Sequence, residues 1–129
     1  MGKLTLEEVI NRFGTATERR QELCERFQER LGVVQSTGEL RRVWLFGSFA
    51  TDKPEPDDLD ILALFASGFA PATLPENVRP WFDHELCREL HEIDLFYLTE
   101  QASDETLNLI LGAFGRDRSG RDSILEVMF

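Results

Sequence analysis

The sequence has little that would tie it to a membrane, an oxidising compartment or a polyanion. No apolar run approaches the ~20 residues needed to span a bilayer, so no membrane partner is expected. The opening Met1-Gly2-Lys3-Leu4-Thr5 has no apolar h-region and predicts no secretory signal. Cysteine is scarce. Cys24 and Cys87 lie far apart with no metal-ligand spacing, which predicts a reduced, cytoplasmic chain without a zinc site or redox pair. Basic residues are outnumbered, 14 Lys and Arg against 24 Asp and Glu, for a net charge of −10. A surface this acidic repels nucleic acid, which is bound mainly through Lys and Arg, so polymerase-like work on long DNA or RNA is not expected. Arg41-Arg42 and the group Arg116, Arg118, Arg121 are the two places where a basic patch could form. No repeat or low-complexity segment occurs.

What is present fits one domain spanning residues 1–129. A chain of 129 residues can bury about two thirds of its unfolded surface, and 42% hydrophobic residues argue for an ordered globule. The N-terminal part, about 5–38, reads as helical. Thr5-Leu6-Glu7-Glu8 forms a capping box opening a helix that Gly14 stops. A longer helix follows from about Thr17 to Gln35, with Leu23, Phe27, Leu31 and Val34 on one side. Its charged side (Glu18, Arg19, Arg20, Glu22, Glu25, Arg26, Glu29) predicts a solvated face. The middle, about 41–98, reads as a sheet built on Val43–Phe46, Asp60–Phe65 and Glu92–Leu98. Ala66 to Arg79 reads as a loop without regular structure, and Pro80 to His91 as a helix. The tail, about 103–129, opens with a helix from Ser103 to Phe114. After a polar turn at 115–121, Ser123–Phe129 fits either a strand or a closing helical turn.

The chemistry gathers in the middle segment. Val43-Trp44-Leu45-Phe46 ends in a Gly47-Ser48 turn, whose backbone N–H groups and hydroxyl suit phosphate oxygens. Asp58 and Asp60 enter the next strand at i and i+2, so their carboxylates share a face. Two adjacent anions repel, and a site that gathers them is usually neutralised by a cation. Hard oxygen donors suit Mg²⁺ or Mn²⁺. Asp94, set among Ile93, Leu95, Phe96 and Tyr97, is costly to bury unpaired. If its strand lies beside that of Asp60, three carboxylates converge, the ligand set for two divalent ions roughly 4 Å apart.

Taken in order, Leu45-Phe46-Gly47-Ser48, Asp58-x-Asp60 and the lone Asp94 resemble the nucleotidyltransferase superfamily of DNA polymerase β, most closely its minimal single-domain members. Trp44-Leu45-Phe46-Gly47-Ser48-Phe49 with Lys53-Pro54-Glu55-Pro56 and Asp58-Leu59-Asp60 also resembles an uncharacterised bacterial branch of that group. The resemblance implies an α/β (α+β) fold, a small mixed sheet with helices packed on one side. It implies catalytic and metal-binding roles for Asp58, Asp60 and Asp94, nucleotide binding at Gly47 and Ser48, and two Mg²⁺ or Mn²⁺ ions per site. The donor would be an NTP, ATP first among them. The acceptor would be a hydroxyl of a protein, an RNA end or a small molecule. Minimal members are often antitoxins that adenylylate a partner toxin, so a toxin partner or a homodimer is implied. The alternative is a non-catalytic nucleotide- or partner-binding module with the same fold.

The sequence departs from that pattern in two ways. Asp57 stands where minimal members often have a small residue, and the rigid Pro54-Glu55-Pro56 loop makes the entrance acidic. With one domain expected over residues 1–129, no second domain is expected to bind an acceptor. Asp57 points to the opposite strand face and reads as a cap or solvated acid, and Lys53 as a solvated lysine that could reach a phosphate. Of the histidines, His84 and His91 fall two helical turns apart, too far to ligate one ion. His91, nearer in sequence to the third acid, is the better candidate for a site role.

Overall fold

The computed structural model describes residues 2–114 and 124–129 and, of residues 90 and 91, the backbone alone. The polar turn expected at 115–121, with Arg116, Arg118 and Arg121, and the side chain of His91 lie outside that description. The elements run β1 (Gly2–Thr5), α1 (Leu6–Phe13), α2 (Glu18–Gln35), β2 (Leu40–Phe46), β3 (Leu59–Phe65), α3 (His84–His91), β4 (Ile93–Thr99), α4 (Asp104–Phe114) and β5 (Leu125–Met128). Short 3₁₀ turns occupy Gly47–Ala50, Pro71–Thr73 and Arg79–Phe82. No helix among the described residues is long and apolar enough to cross a membrane.

The strands form a five-stranded mixed sheet in the order β1-β5-β2-β3-β4. β2 runs antiparallel to both β3 and β5, whereas β1–β5 and β3–β4 are parallel pairs. The α/β class expected from the sequence therefore holds. Strand alternation sorts the apolar side chains onto two faces. Val43, Leu45, Ile61, Ala63, Phe65 and Leu95 pack with Val9, Phe13, Leu23, Phe27 and Leu31 of α1 and α2. Trp44, Phe46, Leu62 and Leu64 turn the other way and pack with Leu107 and Leu111 of α4. Helices thus cover both faces, where the expectation put them on one. The reason is visible in residues 43–46 of β2 and 61–65 of β3, which are apolar without interruption and need cover on each side.

Local chemistry sets the boundaries. Thr5 and Glu8 exchange the reciprocal hydrogen bonds of a capping box, and the Gly14 N–H closes α1 onto the Ile10 carbonyl at 3.0 Å. The helix expected from Pro80 starts only at His84. Asp83 is extended and caps α3 by accepting from the Leu86 N–H at 3.0 Å, so Arg79–Phe82 forms a separate turn. The segment expected as a plain loop is anchored by Phe69, stacked on Phe65 at 4.0 Å, and by Phe82, edge-on to Phe65 at 5.7 Å. The undecided tail is a strand, β5, and β1 beside it was not foreseen. Cys24 and Cys87 are both free and buried.

Candidate metal and nucleotide site

The site begins where β2 runs out. Gly47 has φ +72°, a left-handed conformation open to glycine and strained for other residues. A Cβ placed there would lie 3.0 Å from Cγ of Asp60 and closer still to its Oδ2. Backbone conformation and lateral space therefore both demand glycine at this point. The turn that follows is pinned from beneath by Phe49, fully buried and 6.2 Å from Phe13. The Ser48 carbonyl accepts from the Thr51 N–H at 3.2 Å and from Thr51 Oγ1 at 2.6 Å.

The three acids singled out in the sequence converge beside this turn. Asp58 immediately precedes β3, Asp60 is the second residue of β3, and Asp94 is the second residue of β4. The parallel register pairs Asp60 directly with Asp94, and the Leu59 N–H donates to the Glu92 carbonyl at 3.0 Å to lock the two strand starts together. One oxygen from each of Asp58, Asp60 and Asp94 lies within 4.8 Å of the others. Burial, followed by the charges of Asp58 and Asp94, pushes the Asp60 carboxyl up to about 8. Burial and then the charge of Asp94 also raise Asp58. Asp94 is 8% exposed, and its Oδ1 is buried without a hydrogen bond among the described residues.

That combination meets the requirements of a divalent ion. The donors are hard carboxylate oxygens clustered to coordination distance, and the site penalises the joint ionisation of Asp58 and Asp60. Arg42, on β2, is engaged elsewhere. That guanidinium forks onto Glu126, with Nε–Oε2 at 3.0 Å and Nη2–Oε1 at 2.6 Å.

The loop between Gly47 and Asp58 is held by α2. Arg20 is 3% exposed, with its guanidinium donating to the carbonyls of Phe13 (3.1 Å), Phe49 (3.0 Å), Thr51 and Lys53 (2.7 Å). Arg19 donates to the carbonyls of Pro56 (3.1 Å) and Asp57 (2.6 Å) and forms an ion pair with Glu92. It therefore bridges the segment leading into Asp58 and the one leading into Asp94. The solvated face expected for α2 is corrected here: two adjacent arginines turn inward because the Pro-rich loop offers carbonyls with no regular partners. Arg30 is likewise only 2% exposed, with its guanidinium 3.7 Å above the Trp81 ring. Asp57 is a solvated acid as expected, paired with Lys53 at 3.2 Å and with a side chain 86% exposed.

Sequence reasoning preferred His91, but the structure brings His84 to the site. Its Nε2 lies 2.9 Å from Asp94 Oδ1, and Arg88 Nε lies 3.8 Å from the same oxygen. The chain reverses at Glu92, which adopts a left-handed φ of 56°, so α3 folds back and its first residue meets β4. No motif marks this reversal, because the left-handed residue is a glutamate rather than a glycine.

Two solved structures resemble the chain remotely. One is a candidate nucleotidyltransferase from Sulfolobus solfataricus, 22% identical over 78% of this chain and 79% of that one, with a TM-score of 0.41. The other is the tri-AMPylated Shewanella oneidensis HEPN toxin in complex with MNT antitoxin, 17% identical over 62% of this chain and 57% of that one, with a TM-score of 0.33. Likenesses this distant assign no activity. The curated proteins contain no match to the chain. A family of unknown function, DUF6932, matches residues 2–128, and the chain belongs to that family.

Proposed function

We propose that the protein is a metal-dependent nucleotidyltransferase that moves a nucleoside monophosphate from an NTP, ATP first among them, to an acceptor hydroxyl. The observation that carries this reading is the convergence of Asp58, Asp60 and Asp94 beside the glycine-only turn at Gly47. Asp58 and Asp60 would hold Mg²⁺ or Mn²⁺ against the triphosphate, and Asp94 would share in holding a second ion. Bound there, the ions would neutralise phosphate charge and lower the pKa of the attacking hydroxyl. The bare Gly47 backbone and Ser48 would receive the phosphates. The acceptor oxygen bonds to the α-phosphorus, the bond to the β-phosphate oxygen breaks, and pyrophosphate leaves. The acceptor proton passes to the Asp94 carboxylate.

A partner protein as acceptor, in the manner of an antitoxin, is the version that the motif resemblance favours. The test is to incubate the protein with α-labelled NTPs, Mg²⁺ or Mn²⁺ and a lysate of its own cell. Label joined to an acceptor, with matching pyrophosphate release, supports transfer. Nucleotide binding without pyrophosphate release would replace it with the non-catalytic module.

A further inference from the structure

The carboxylate cluster has a neighbour that neither its motif nor its fold assigns. His84 Nε2 and Asp94 Oδ1 are 2.9 Å apart, both are buried, and neither has a hydrogen bond among the described residues. The separation is that of a hydrogen bond, but the two atoms do not form one. Sites of this kind often hold such bonds misaligned when empty and tighten them when loaded. The imidazole is not free to wander, since its ring lies 4.6 Å from that of Phe96 at an interplanar angle of 36°. Phe96 shares the strand face of Asp94 and is backed by Phe46 at 6.1 Å and Phe114 at 5.3 Å. A row of aromatic rings under the carboxylates therefore sets the height and tilt of the histidine.

His84 lies outside the ligand ring. Among the described residues, the group of ligand atoms that all lie within 4.8 Å of one another is made of Asp58, Asp60 and Asp94, without His84. Arg88 is a poorer partner for Asp94. It stands at 3.8 Å with a side chain 66% exposed, where water screens the charge. The group that can direct the Asp94 carboxylate is thus the imidazole.

We infer that His84 is the positioning residue of Asp94: its Nε2–H holds Oδ1 so that the other carboxylate oxygen is presented to the divalent ion shared with Asp58 and Asp60. This rests on the reading that Asp94 is an ion ligand, but not on nucleotidyl transfer. A neutral imidazole suffices, carrying its proton on Nε2, and no proton leaves it. Groups that orient a ligating side chain typically contribute 10–100-fold in ion affinity.

Two substitutions separate positioning from packing. His84→Phe keeps a ring against Phe96 and removes the nitrogen, while His84→Gln loses the ring and keeps an N–H donor. The measurement is Mn²⁺ binding to the full chain without nucleotide, followed by electron paramagnetic resonance, with the melting temperature beside it. His84→Phe should lose at least about tenfold in Mn²⁺ affinity at a melting temperature near wild type, and His84→Gln should recover most of that loss. Unchanged Mn²⁺ affinity in His84→Phe overturns the inference. So does an equal loss in both variants accompanied by a lower melting temperature, which would make His84 a general folding contact rather than a guide for Asp94. A wild-type chain that binds no Mn²⁺ overturns this inference together with the metal site. Normal Mn²⁺ behaviour in a chain that transfers no nucleotide removes the enzyme reading and leaves the role of His84 standing.

Discussion

Residue 47 has no room for a side chain because Asp60 occupies the space: a Cβ there would lie 3.0 Å from the Asp60 Cγ. Turn and acid are therefore one fitted unit, and Gly47→Ala should damage both. The alanine would be strained at φ +72° and would push the carboxylate out of its cluster. The expected result is a loss of roughly 1–3 kcal/mol in stability with a marked fall in Mn²⁺ affinity. Denaturant unfolding and an Mn²⁺ titration check the two effects, and a variant with wild-type ion affinity would show that the acid is not held by the turn.

The raised Asp60 carboxyl makes the metal-free protein lose stability as pH rises. An unfolded aspartate ionises near 4, whereas folded Asp60 keeps its proton up to about 8. Between those values the folded state binds more protons than the unfolded one, so stability falls across the window and levels off above it. Melting temperatures in chelator should therefore be higher at pH 5.5 than at pH 8.5, and Asp60→Asn should flatten the slope. Added Mn²⁺ should reverse the trend, because ligands must be deprotonated to bind. A metal-free melting temperature that rises over this range would contradict the assignment.

Arg20 holds the outer loop from within, so Arg20→Met should leave the carbonyls of Phe49, Thr51 and Lys53 without donors. We expect a stability loss of roughly 3 kcal/mol, as for several buried carbonyls left without donors. Asp-N protease should also cut before Asp52 faster in the variant. Cleavage at the wild-type rate would mean that the prolines alone hold the loop.

Asp94→Asn separates binding from chemistry. It keeps the shape of the side chain but weakens one metal position and removes the proton acceptor. Nucleotide affinity should stay within a few-fold of wild type while transfer falls by roughly 10²-fold or more. Calorimetry and α-phosphate transfer measured side by side decide it, and transfer at the wild-type rate would remove Asp94 from the reaction.

Much of this site could be read from residue order, because it rests on periodicity. Asp58 and Asp60 share a face by strand alternation, and Asp60 meets Asp94 because two apolar runs joined by a helix pair in parallel. The capping box at Thr5 was equally legible, since both of its hydrogen bonds form within four residues. What escaped depends on contacts between distant parts of the chain. A charged helix face looks the same whether its arginines meet water or the carbonyls of a proline-bound loop, so Arg19 and Arg20 gave no sign of their role. The bend at Glu92 that brings His84 over β4 carries no glycine to announce it. β1 is four residues long and mostly exposed, too short for an alternating pattern to stand out.

The position of β5 between β1 and β2 has a consequence for how the chain is made. During synthesis on the ribosome, residues 2–5 emerge more than a hundred residues ahead of the strand they pair with. The strands bearing Gly47, Asp60 and Asp94 can pair with one another earlier, while the open flank of β2 waits for residues 125–127. The nascent protein would thus carry its acidic cluster before its sheet is closed.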